Sequence, residues 1–167
     1  MNNLVQPAKL IRKYYQGSPV ALQIILDHSR LVTARAVKIA RLLQSVESVD
    51  LQFVAEAAML HDIGSIFTNA PDLGCFGEWP YICHGIQGGK LLREEGLNRH
   101  ALVCERHIGV GLTAEEIIKN GLPLPARDMK PVTLEEEIIC YSDLFYSKNS
   151  KDRGQEKEIT TIRNTLN

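Results

Sequence analysis

The sequence predicts an all-α protein, and three observations carry that expectation. Apolar residues recur at helical spacing, as in the i, i+4, i+7, i+11 stripe Val32, Ala36, Ile39 and Leu43. Two Thr-x-x-Glu pairs, Thr113 with Glu116 and Thr133 with Glu136, have the form of capping boxes. No stretch alternates apolar and polar residues as a half-buried strand does.

The elements follow in chain order. Ser18 stands as an N-cap with Pro19 at the first helical position, opening a helix that carries the Val32–Leu43 stripe. Arg30, Lys38 and Arg41 fall on its solvated side, and His28, four residues before Val32, extends the apolar stripe inward. A second helix spans 50–62, with Leu51, Val54, Ala55 and Ala58 inward and Gly64 as its stop. Its end, "AAML", is apolar nearly all round, so His61 and Asp62 arrive in a buried place. Residues 66–83 hold prolines, glycines, Phe76 and Trp79 and keep no period, which predicts a long loop with the aromatics packed into the core. Helices over 80–95 and 98–108 come next, with His100 facing water. A short helix opens at Thr113, and "NGLPLPARDMKP" is a proline-broken connection. The last helix opens at Thr133 and carries Leu134, Ile138, Tyr141 and Phe145 at helical spacing. From Ser147 on the chain is polar and is expected to be frayed or disordered.

A chain of 167 residues suits one domain, 1–167, with a core at about 20–146 and a polar tail at 147–167. The hydrophobic fraction of 44% and net charge of −1 place it among ordinary globular proteins, with no bulk field for nucleic acid or anionic lipid. No apolar run reaches the ~18 residues of a membrane span, and "MNNLVQPAKLIRKYYQ" lacks a signal peptide's apolar core. Cys75, Cys83, Cys104 and Cys140 make no CxxC pair and read as thiols of a reducing compartment, so the expected location is the cytoplasm.

Four of the five histidines, His28, His61, His84 and His107, sit where a helix faces inward or ends. Asp143 lies between apolar neighbours on the last long helix. Each alone has a bland explanation as a satisfied core group. Together with Asp62 they put four imidazoles and two carboxylates into one small interior, and buried polar groups need compensation. A cation supplies it for all of them at once.

The pattern of His28, His61-Asp62 followed by Ile63-Gly64, and Asp143 after "EEEIICYS" resembles the HD-domain superfamily of metal-dependent phosphohydrolases, over residues 20–146. The resemblance implies an all-α HD-domain bundle in which these four residues bind one metal. His84 in "CHGIQGG" and His107 in "ERHIGVG" match the extra histidines of the binuclear branch, where Asp62 would bridge to a second metal. The layout is similar to small bacterial HD hydrolases of diadenosine polyphosphates. Ser65 stands where the cyclic-dinucleotide phosphodiesterases have lysine, and "RHIGVGLTAEE" lacks their Gly-Tyr-Pro motif. The same ligand set occurs in di-iron oxygenases of small polar substrates, and a non-catalytic nucleotide or metal sensor is a further alternative.

Nitrogen and oxygen ligands without thiolate suit one or two divalent ions of Fe, Mn, Co, Ni or Zn. Such a centre lowers the pKa of bound water from 15.7 to about 7, so the reaction expected is attack of a metal-bound hydroxide on phosphorus. Asp62 and His61 are the expected catalytic residues. Ser65, Lys90 and Arg106 are the candidates for holding the substrate, with Thr68 and Asn69 in reach at the start of the loop. The expected partner is a small phosphorylated substrate, in particular a nucleotide. A homodimer is compatible with the sequence; a nucleic-acid polymer or membrane partner is not expected.

Overall fold

The computed structural model describes residues 5–166, and helices dominate it. Eight α-helices are described: α1 Pro7–Tyr14, α2 Pro19–Leu43, α3 Leu51–Leu60, α4 His84–Glu94, α5 Asn98–Arg106, α6 Ala114–Lys119, α7 Leu134–Asp143 and α8 Ile159–Leu166. Two-residue strands, β1 Asn69–Ala70 and β2 Cys75–Phe76, pair antiparallel with Asn69 opposite Phe76. The all-α class therefore holds with one small hairpin added.

Local chemistry accounts for most of the helix ends. Pro19 occupies the first turn of α2, although the Ser18 hydroxyl makes no capping bond. Asp50 caps α3 by accepting from Phe53 N at 2.9 Å. Thr113 and Glu116 form the full capping box at α6. At α7 only half the box forms: Thr133 accepts from Glu136 N, while the Glu136 carboxylate accepts from Val132 N at 2.8 Å and pairs with Arg106. α3 ends at Leu60 and continues as a 3-10 turn over Ile63–Phe67, so Gly64 lies inside a turn rather than closing the helix.

The apolar interior has two parts. One joins α1, the first half of α2, Leu60, Ile63, α4 and α5 around Ile11, Tyr15, Ile25 and Leu92. The other joins the second half of α2 to α3 and α7 around Val32, Val54, Ala57 and Ile139. α2 and α3 pass through both. His28 lies between Leu26 of the first part and Val32 of the second; His61 and Asp62 lie between Ala58 and Ile63. The polar centre occupies the seam between two apolar packings.

Several side chains differ from expectation. Phe76 and Trp79 are 78% and 48% exposed. The loop is held by its backbone, with Asn69 N donating to Trp79 O at 2.7 Å and Gly77 N to Thr68 O at 2.9 Å, and by buried Leu73 and Cys75. His100 is buried rather than solvent-facing, edge-on to Phe53 and 3.1 Å from Glu56. Tyr141 is exposed although its spacing placed it in the inward stripe. On α3 the buried face is centred on Val54, Ala57 and Ala58, with Leu51 and Ala55 only half-buried. The polar tail carries α8, which buries Ile162. No described helix is long and apolar enough to cross a membrane.

Candidate metal centre

Five elements deliver six side chains to the seam. α2 brings His28, the end of α3 brings His61 and Asp62, α4 begins with His84, α5 ends at His107, and α7 ends with Asp143. Glycines permit the approach. A β-carbon on Gly64 would lie 2.1 Å from His84 O and 2.2 Å from Gly88 N, and one on Gly85 would lie 2.5 Å from Cys104 O. The "GIQGG" segment thus lets α4 lie flush against both the turn after Asp62 and α5.

Backbone carbonyls set the imidazole tautomers. Nδ1 of His61 lies 2.7 Å from Ala58 O, that of His84 2.7 Å from Tyr81 O, and that of His107 2.8 Å from Cys104 O. A carbonyl only accepts, so each Nδ1 carries a proton and each Nε2 is the ring nitrogen turned inward. Those nitrogens, and His28 Nε2, stand close to carboxylate oxygens and to one another. His28 Nε2 is 3.1 Å from Asp62 Oδ2 and 2.9 Å from Asp143 Oδ1. His61 Nε2 is 3.1 and 3.4 Å from the same oxygens and 3.3 Å from His28 Nε2. On the other side, Asp62 Oδ1 is 3.2 Å from His84 Nε2 and 3.5 Å from His107 Nε2, and these two nitrogens are 3.1 Å apart.

Two acceptors facing each other at about 3 Å repel unless a proton or a metal cation lies between. Ligand bonds of about 2.0–2.2 Å put neighbouring donor atoms roughly 2.9–3.5 Å apart around a tetrahedral or octahedral ion, and the observed separations fall there. Two groups of side chains bring their ligand atoms close enough together to hold an ion, His28–His61–Asp62–Asp143 and Asp62–His84–His107, sharing Asp62. Buried atoms without a hydrogen-bond partner include Asp62 Oδ1, Asp143 Oδ1 and His28 Nδ1. The cluster is compatible with divalent metal binding, and its two-lobed form with a binuclear site. None of the four cysteines, all buried, belongs to either group.

The charges of the centre are set by burial and by its neighbours. Burial would raise the Asp62 carboxyl, but the Lys148 ammonium and His61 hold it well below its usual range. Burial and Lys148 act in the same opposing way on Asp143, which is also held low. Burial lowers His107 and keeps it neutral, as a ligand must be. Burial would lower His61 as well, but Asp62 and Asp143 together raise it to about 10.

The expected substrate residues fare differently. Ser65 is buried in the turn after Asp62, its N donating to Asp62 O at 2.9 Å and its Oγ without a partner. Thr68 uses its hydroxyl on Ser65 O at 2.7 Å. Arg106 is engaged by Glu136 at 2.9 and 3.0 Å and braces α5 against α7. Lys90 is exposed on α4; six residues from His84, it points about 240° around the helix from the centre. Lys148 was not foreseen. It contacts Asp62 Oδ2 from the segment after α7, where no apolar period signals an inward position.

A helical bundle that gathers His and Asp side chains into two groups sharing Asp62 is compatible with a divalent metal centre. A model of the HD domain family matches residues 25–146, and the chain belongs to that family. It is 36% identical over 121 residues to an uncharacterised protein of Methanocaldococcus jannaschii, covering 71% of this chain and 64% of that one. Two proteins named tRNA (cytidine(56)-2'-O)-methyltransferase also match. That of Thermoplasma volcanium is 30% identical over 137 residues, 81% of this chain and 36% of its own length. That of Picrophilus torridus is 36% identical over 111 residues, 66% of this chain and 29% of its own. The chain therefore spans less than two thirds of each of these relatives. No solved structure matches the chain.

Proposed function

We propose that the protein is a metal-dependent phosphohydrolase that cleaves a phosphoester or phosphoanhydride of a nucleotide or other small phosphorylated metabolite. The observation that carries this reading is Asp62: each of its carboxylate oxygens faces a different group of inward imidazole nitrogens. Divalent ions bound to these groups would polarise phosphoryl oxygens and make a water nucleophilic near neutral pH.

The chain's own residues supply the rest. Backbone carbonyls fix the imidazole orientation, and Asp62 and Asp143 offset the positive charge of the centre. Burial pushes the Tyr81 phenol up to about 12, so beside His84 it stays protonated and can donate to a phosphate oxygen. The methyltransferase relatives do not transfer their named activity here, because this chain corresponds to about a third of their length.

The test is elemental analysis of protein purified without added metal, followed by a screen of phosphorylated metabolites. Two ions per chain are expected, falling to one in His84→Ala. Asp62→Asn should lose more than the ~10–100-fold typical of removing an outer-shell partner. Full turnover in Asp62→Asn, or an unchanged metal count in His84→Ala, would overturn the assignment. Oxygen consumption with iron and no phosphate release would point to the oxygenase alternative.

A further inference from the structure

The segment after α7 returns one charged side chain to the centre. Lys148 Nζ contacts Asp62 Oδ2 and lies 3.4 Å from His28 Nε2, and its side chain is only 13% exposed. The same lysine lines a cleft of about 480 Å³ together with Asp72, Tyr81, Tyr146, Asn149 and Lys157. Lys148 and Tyr81 connect this cleft to the ligand cluster, Tyr81 through its stacking on His84 at 4.7 Å. A volume of that order holds a small ligand, within the ~300–1,000 Å³ of ordinary binding pockets.

Lys148 sits on the oxygen that the first ligand group needs. Asp62 Oδ2 is also the atom 3.1 Å from both His28 and His61 Nε2. An ammonium and a metal cation compete for that oxygen: two unit charges 4 Å apart repel by about 4 kcal/mol even at an effective dielectric of 20. A lysine that gives way to a cation has a flexible four-carbon stem on which to carry its charge into the cleft it lines. There it stands with Lys157 against a single carboxylate, Asp72.

We propose that Lys148 is the phosphate-binding residue of this site, held on Asp62 as a counter-ion until a metal cation replaces it, then free to take an oxygen of the phosphate in the adjoining cleft. The identity of the anion rests on the phosphohydrolase reading; the exchange of partners does not. The lysine contacts substrate and is thus a binding residue that sets KM.

The test compares wild type, Lys148→Met and Lys148→Arg by calorimetry, first with Mn²⁺ and then with inorganic phosphate on the Mn²⁺-loaded protein. Lys148→Met should take Mn²⁺ at least as tightly as wild type, because a competing cation is gone. It should bind phosphate about tenfold or more weakly, the loss expected for one charge-assisted hydrogen bond. Lys148→Arg should recover most of that loss. With a substrate in hand, Lys148→Met should raise KM much more than it lowers kcat. Phosphate affinity equal in wild type and Lys148→Met, no phosphate affinity in wild type, or loss of Mn²⁺ binding in Lys148→Met would each overturn the proposal. Lysine-dependent phosphate binding without hydrolysis of any phosphorylated compound would sink the hydrolase reading and leave Lys148 in place. Hydrolysis with an unchanged KM in Lys148→Met would do the reverse.

Discussion

At Gly64 the backbone has no room for a side chain. A β-carbon there would meet two backbone atoms of α4, His84 O at 2.1 Å and Gly88 N at 2.2 Å, and neither can rotate away. The glycine's φ is ordinary, so its role is close approach rather than unusual conformation. Gly64→Ala must push α4 off the turn, which also separates His84 from Asp62. We expect a loss of about 3 kcal/mol or more, beyond the ~1–3 kcal/mol usual for overpacking, together with loss of the second metal. Urea denaturation and metal counting check this, and wild-type stability in Gly64→Ala would refute it. The six clustered side chains were legible residue by residue because each stands at an inward helical position or a helix end, where a polar group is conspicuous. Lys148 was illegible for the converse reason: it is one lysine in a polar stretch, and only the fold brings it to Asp62. His100 was misread because a position near a helix start says nothing about the neighbouring helix, and α3 places Phe53 and Glu56 against it.

Among the elements, α4 and α5 are joined by a charged clamp as well as by small residues. Glu105 is 3% exposed and lies 2.6 Å from Arg93 of α4 and 2.8 Å from Arg127 of the proline-broken connection. Gly89 leaves it space, since a β-carbon there would lie 2.7 Å from the carboxylate. Burial alone would raise the Glu105 carboxyl, but the two guanidinium groups hold it below the usual glutamate value. A depressed carboxyl contributes stability above its unfolded pKa, and that contribution disappears as pH falls through the folded value. Both arginines are about half exposed, so the clamp is worth about 1–2 kcal/mol rather than the figure for a fully buried pair. Glu105→Gln should therefore be less stable than wild type by that amount at pH 7, with the gap closing as pH drops below about 4. Denaturant midpoints at the two pH values test it; an equal gap at both would show that packing, not charge, is at work. Helices α2 to α7 were readable from period and capping, and α6 matches its Thr113–Glu116 box in full, but α1 gave no such signal and α8 lies where the polar composition suggested fraying or disorder. The loop was readable only as a break in period. What organises it is backbone pairing between Asn69 and Trp79, which aromatic content does not reveal.

Across the molecule, the polar cluster lies where α2 and α3 pass from one apolar packing to the other, and this seam is the place where a bound cation changes stability most. There carboxylates and imidazole nitrogens from α2, α3, α4, α5 and α7 face one another at about 3 Å, with Lys148 as a compensating charge on Asp62. A cation that binds the folded chain and not the unfolded one stabilises it by about 2.7 kcal/mol at a hundred times its Kd. Addition of Mn²⁺ or Zn²⁺ to chelator-treated protein should thus raise Tm by several degrees, the shift expected of ~1–3 kcal/mol in a domain of this size. Asp62→Asn, which takes an anionic ligand from both groups, should show little of that shift. The same addition should reduce hydrogen exchange around residues 61–65 and 84–88, where the elements are drawn together. It should increase exchange over 147–149, because the lysine that anchors this segment to Asp62 is released. Protection rising uniformly, with 147–149 tightening alongside the rest, would mean that lysine and metal occupy the centre together and that the seam is stitched by both.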